Sequence, residues 1–184
     1  HHPGMHALRT HINAGLVGEV VSVTYVRTTR RTRPKGAEPV KTLAVHGLDI
    51  VAWLLSSPLM EMTTNAAEKH EDSAEIRLET KQGKTGVIKV GWNWEDEERR
   101  IVVAGKTGSQ IMFDFGTGEL TSVNLLENFG NPSSLFGSET VPYKSEALEE
   151  EWRAFLERNQ SSKPYVFPPL DTLLDQSAWI EKYG

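Results

Sequence analysis

A chain of 184 residues is long enough to bury one sizeable core and fits a single domain. With 38% hydrophobic and 24% charged residues it is not a disordered polymer, and a net charge of -5 argues against nucleic acid as its main partner. The absence of cysteine excludes disulfides and thiolate metal sites, and no apolar run reaches the roughly 18 residues of a membrane span.

Residues 3–14 carry Met5, Leu8 and Ile12 at helical spacing, and Gly15 is placed to end that helix. Residues 19–33 read as one long strand, with Val21, Val23 and Tyr25 on one face and Arg27, Arg31 and Arg33 continuing it. Together with Arg30 these arginines form the one dense basic run. It is either a solvated strand end or a contact for phosphate or carboxylate, which Arg grips in bidentate fashion. Pro34, Gly36 and Pro39 make a loop.

The stretch from Lys41 to Leu55 reads as a helix that Ser56-Ser57-Pro58 stops. At about 100° per residue, Thr42, His46, Asp49 and Trp53 share one stripe. Ala44, Leu48, Val51, Ala52 and Leu55 form the opposite face, expected to enter the core. A carboxylate three residues after a His can tune its tautomer and pKa. The same spacing also suits a solvated helix edge with no chemistry, and the spacing alone leaves both readings open.

Beyond Pro58 the pattern turns to β. Strands are expected over residues 60–68, around Ala74-Ile76-Leu78, along Ile88-Val90-Trp92-Trp94, on both sides of Gly105–Gly108, and from Leu120 to Leu126. Gln82-Gly83 reads as a turn and residues 127–138 as an irregular loop. A helix capped by Ser145, acidic from Glu146 to Glu151, should bury Leu148, Trp152, Phe155 and Leu156. A last helix follows from Asp171, with Leu173, Leu174 and Ala178 as its apolar residues. The fold class is α+β: a largely antiparallel open sheet with helices packed on one face. Among the remaining histidines, His2 and His6 share a helix face without a third metal ligand in view, and the five tryptophans read as core or interface.

The segment Val45-His-Gly-Leu-Asp-Ile-Val-Ala-Trp-Leu-Leu55 resembles the H-x-x-D-x-x-x-W-L-L segment in the C-terminal domain of the glucose–fructose oxidoreductase / inositol dehydrogenase / MocA family. The opening helix, Ala14-Gly15, Val17-Gly18-Glu19-Val20 and the Gly105–Gly108 turn are also similar. The resemblance implies a C-terminal substrate and oligomerisation domain filling residues 1–184, without the dinucleotide-binding Rossmann domain. No G-x-G-x-x-G turn and no E-K-P lysine segment occurs here, so this chain alone is expected to bind no nicotinamide cofactor. The longer protein would use NAD or NADP on a sugar, polyol or nucleotide sugar.

His46 matches the family's catalytic histidine, and Asp49 the acid of the segment. Thr42 stands where the family commonly has an acid, and Gly47 where some relatives do. Thr42, Asp49, Arg27 and Arg31 are the expected substrate contacts. A cytoplasmic location and a homo-oligomer joined through a sheet face bearing Val90, Trp92 and Trp94 are expected. So is freedom from membrane and nucleic acid. The alternative is a non-catalytic relative that senses a sugar or nucleotide, or acts as a scaffold.

Overall fold

The computed structural model describes residues 2–123, 138–140, 147–160 and 170–184. Helix α1 (Pro3–Asn13) leads into strand β1 (Val20–Thr28). A π-helical turn (Val40–Ala44) runs directly into α2 (Val45–Leu55), and a 3-10 turn (Leu59–Glu61) follows. Six strands come next: β2 (Thr63–Lys69), β3 (Ser73–Glu79), β4 (Thr85–Gly91), β5 (Arg99–Gly105), β6 (Gln110–Asp114) and β7 (Glu119–Val123). The short β8 (Ser138–Thr140) and helices α3 (Ala147–Gln160) and α4 (Leu170–Tyr183) complete the described chain.

The eight strands form one sheet in the order β2-β3-β4-β1-β5-β6-β7-β8. Every neighbouring pair is antiparallel except β1 with β4. That pair is parallel because the chain leaves β1, crosses the sheet as α2 and returns through β2 and β3, as parallel neighbours require. The α+β expectation holds in this form.

Period-2 alternation decides which face is covered. Register puts Ile88, Tyr25, Ile101, Phe113 and Leu120 in one row across β4, β1, β5, β6 and β7, all buried. α2 lies over the β4–β1 part of this row with Leu48, Val51, Ala52 and Leu55 turned inwards, as the helical stripe predicts. It fits closely because position 47 is glycine. A Cβ there would stand 2.5 Å from Cδ1 of Tyr25 and 3.0 Å from Ile88. Gly4 seats α1 in the same way, where a Cβ would stand 1.9 Å from the Phe113 ring. Burying side chains of this size contributes about 1.5–3 kcal/mol each, so the α2 face is a main source of stability.

Several sequence expectations need correction. The arginine-bearing strand ends at Thr28, so Arg31 and Arg33 lie in the following loop and do not continue the Tyr25–Arg27 face. Arg33 instead pairs with Asp72 (2.9 Å) and Glu71 (2.6 Å). The Ile88-Val90-Trp92-Trp94 face is not free for a subunit contact: Ile88, Val90 and Trp92 are buried on the helix side, and only Trp94 is exposed. The alternation was read correctly, but its apolar side faces the helices. The strand expected from Leu120 starts one residue earlier and is described only to Val123.

Trp152, Phe155 and Leu156 of α3 are exposed, with Trp152 and Phe155 edge-to-face at 5.8 Å. α4 also reverses its expected contact. Leu173, Leu174 and Ala178 face outwards, while Trp179 is fully buried and Asp175 and Gln176 make the docking bonds. The Ser145 cap, Glu146 and most of the expected 127–138 loop lie outside the described residues. Among the described residues no helix is long and apolar enough to cross a membrane.

Candidate active site

α1, α2 and α4 enclose a cleft of about 960 Å³, with one contact from Glu151 of α3. α1 supplies His2, Met5, His6 and Arg9; α2 supplies His46, Asp49, Ile50, Ala52 and Trp53; α4 supplies Asp171, Thr172, Asp175 and Gln176. His46 and Asp49 thus stand on one wall, as the stripe predicts. Trp53 extends that wall one turn further and carries the Arg9 guanidinium 5.0 Å over its ring. Ser56, in a left-handed conformation (φ 54°, ψ 44°), ends α2, and the chain turns through Ser57 and Pro58 along the cleft edge.

α4 is fixed by polar bonds. Both carboxylate oxygens of Asp175 accept from the 3-10 turn, Leu59 N–H at 2.5 Å and Met60 N–H at 3.0 Å. The Gln176 amide donates to the carbonyl of Val45, the residue before His46, at 2.5 Å. Trp179 Nε1 donates to Thr64 Oγ1 at 3.1 Å. The backbone that carries His46 is therefore held from both sides: by Gly47 on Tyr25 below, and by Gln176 at Val45. The π-helical turn immediately precedes it, a wide turn that recurs at functional sites.

The His46 ring reaches solvent, yet the surrounding walls remove enough water to favour its neutral form. Its pKa is lowered from 6.5, first by this desolvation and then by the charges of Arg27 and Arg99; Asp49 opposes them without prevailing. Asp49 is itself raised from 3.8 by burial, with His46 pulling it back. No hydrogen bond joins the two, so they are coupled through charge. The pull of Asp49 on His46 towards protonation is thus outweighed.

Under Gly47, burial raises the pKa of the Tyr25 hydroxyl above 10.0, against the opposing charges of Arg27 and Arg99. Arg99 stands opposite Arg27 in the β1–β5 register and 5.0 Å over the Phe115 ring. The His2 ring meets Phe115 edge-on at 5.0 Å. Its Nδ1 accepts from Gly4 N–H at 3.1 Å, and burial with Arg99 lowers its pKa to about 4.

Of the expected substrate contacts, Asp49 lines the cleft with His46, whereas Arg27 is not among the lining residues and reaches His46 through its charge. Thr42 is not part of the cleft lining; its hydroxyl donates to the Glu38 carbonyl at 2.6 Å. Arg31 is exposed in the loop beyond β1, and its carbonyl accepts from Asn93 N–H at 3.1 Å. Tyr25, Arg99 and His2 were missed. Tyr25 and Arg99 are 74 positions apart and meet only through strand pairing, although the alternation in β1 does put Tyr25 with Arg27.

The Gly15–Gly18 turn does not suit a dinucleotide. Gly15 and Gly18 take positive φ (84° and 66°), but their turn joins a helix to a strand instead of opening a helix under a pyrophosphate. Among the described residues no group of three His, Asp or Glu could hold a metal ion.

The model for the GFO/IDH/MocA C-terminal domain matches residues 5–111. This chain belongs to that family. No curated protein matches it. Among solved structures it is similar to UDP-N-acetylglucosamine 3-dehydrogenase GnnA from Acidithiobacillus ferrooxidans, at 18% identity and TM-score 0.72, covering 98% of this chain and 56% of GnnA. It is also similar to KijD10, a 3-ketoreductase from Actinomadura kijaniata solved with NADP and TDP-benzene. That match has 15% identity and TM-score 0.70, covering 98% of this chain and 58% of KijD10. A third, a putative NADPH-dependent oxidoreductase from Desulfitobacterium hafniense, has 16% identity and TM-score 0.72, covering 95% and 57%. The chain thus spans little more than half the length of these structures, and at such identities the likeness is one of fold.

Proposed function

We propose that this chain is the substrate-binding domain of a cytoplasmic nicotinamide-dependent oxidoreductase acting on a CH–OH group of a sugar, polyol or nucleotide sugar. In this reading His46 is its acid/base. The observation that carries it is His46: on the wall of a large cleft, solvent-accessible, and biased towards the neutral form by desolvation and two arginines. Oxidising an alcohol needs a base to take the hydroxyl proton as hydride leaves carbon, and a neutral imidazole suits that step near pH 7. The reverse reduction needs the proton returned from the same nitrogen. Asp49 supports the imidazolium formed in between, since its charge opposes the arginines. The nicotinamide, which accepts the hydride, would be held by a dinucleotide-binding part that these residues do not form.

The sheet face opposite the helices is the proposed homo-oligomer contact. Val87, Thr24, Val102 and Met112 form a half-buried row across it. A concentration-independent monomer in light scattering would rule this out. The sensing alternative rests on Thr42, whose hydroxyl is turned onto a carbonyl and offers His46 no charge.

The decisive experiment is His46→Gln in a protein that includes the cofactor-binding part, assayed with a panel of sugars and nucleotide sugars. Turnover should fall by about 10²–10⁴, with little change in melting temperature. Undiminished turnover on a substrate that the parent demonstrably oxidises would remove His46 from the reaction. Failure of the parent itself to turn over any panel member would favour the sensor.

A further inference from the structure

Arg27 and Arg99 share the helix-side face of the sheet but sit at its rim, Arg27 half-buried and Arg99 exposed, next to the cleft and outside its lining. Register sets them directly opposite each other on β1 and β5, one step beyond the buried Tyr25–Ile101 pair. Residues opposed in this way have side chains about 5 Å apart, where two like charges destabilise each other. Such a pair normally has a carboxylate to offset it. Here neither arginine has one within ion-pairing distance among the described residues, whereas Arg33, Arg77, Arg100 and Arg153 do. Asp49 makes no ion pair with either arginine, and burial and His46 are the largest influences on its carboxyl.

The pair is also held in place. Both guanidinium groups lie close enough to the hydroxyl of Tyr25, a fully buried side chain under Gly47, for their charges to act on it. Phe115 supports Arg99 from one side, its ring centroid 5.0 Å away. A guanidinium stacked on an aromatic face keeps its N–H edge free for a planar or tetrahedral oxyanion. Both are close enough to His46 for their charges to act on it.

We propose that Arg27 and Arg99 form an oxyanion subsite beside His46, so that the substrate oxidised there is a sugar derivative bearing a phosphate or carboxylate. The inference deepens the reading of His46 as acid/base and adds Arg99 as a specificity residue. It also gives Arg27 a defined partner in place of Arg31. The anion would offset the repulsion between two arginines that have no carboxylate partner among the described residues.

Ligand-observed NMR titration of the intact chain tests this without turnover. The probes are glucose 1-phosphate, glucuronate and neutral glucose. One or both charged sugars should bind more tightly than glucose; binding by one alone identifies phosphate or carboxylate as the natural group. Arg27→Gln and Arg99→Gln should each weaken that binding at least about tenfold, as expected for loss of a charge-assisted bond. Arg100→Gln, on the opposite face and paired with Glu98, should leave it unchanged. Amide spectra of each variant report that it is folded. Equal affinity for glucose and both charged sugars, or loss of binding in Arg100→Gln as large as in Arg99→Gln, overturns the subsite. Either result leaves the role of His46 to its own assay.

Discussion

Helices α2 and α4 flank the same cleft but are attached by different physics. α2 sits on the sheet through an uninterrupted apolar face, brought close by a glycine over Tyr25. α4 sits on α2 and the 3-10 turn through Asp175, Gln176 and Trp179, and leaves Leu173 and Leu174 in solvent. A helix that covers a sheet must bury a stripe. A helix that docks against the ends of other helical segments must first satisfy their unpaired backbone groups. In α4 those hydrogen bonds, with one tryptophan, decide which side faces inwards.

The sharpest way to break this contrast is to change one residue of each attachment. Gly47→Leu should destabilise the fold most, by about 3 kcal/mol, the upper end of the overpacking range. The new side chain has no room over Tyr25 and Ile88, and urea unfolding would measure the loss. A variant as stable as the parent would mean that α2 is not seated as described. Asp175→Ala comes next. It leaves Leu59 N–H and Met60 N–H without their acceptor, and about 2 kcal/mol should go. Leu174→Ser on the same helix should change stability by no more than about 0.5 kcal/mol. Reversal of that order, with the leucine costing more than the aspartate, would show that α4 docks through its apolar side.

The same contrast explains how much was legible in the sequence. The stripe of α2 was readable because one periodicity governs both its burial and its exposure, so His46 and Asp49 fell off the core face as expected. The β alternation was readable too, but not which face the helices cover; that depends on the parallel β1–β4 pairing. The leucines of α4 misled because its partner surface is made of backbone N–H and C=O groups, which leave no pattern in a side-chain sequence. Arg99 was invisible for a similar reason. Only the register with Arg27 gives it meaning, and strand order is not written locally. The direction of the Thr42 hydroxyl was not legible either, because it depends on the Glu38 carbonyl one turn earlier, to which it donates.

The central claim is that the walls of this cleft and two arginines hold His46 neutral against the pull of Asp49. The His46 C2 proton, assigned by its loss in His46→Gln, reports this directly as pH is varied in NMR. Because the folded-state pKa is lowered, protonating His46 in acid works against the fold, and stability linked to it should fall as pH drops below 6.5. The account predicts a titration midpoint below 6.5, moving up in Arg99→Gln and further down in Asp49→Asn. A midpoint at or above 6.5 in the parent chain, unmoved by Arg99→Gln, would contradict it.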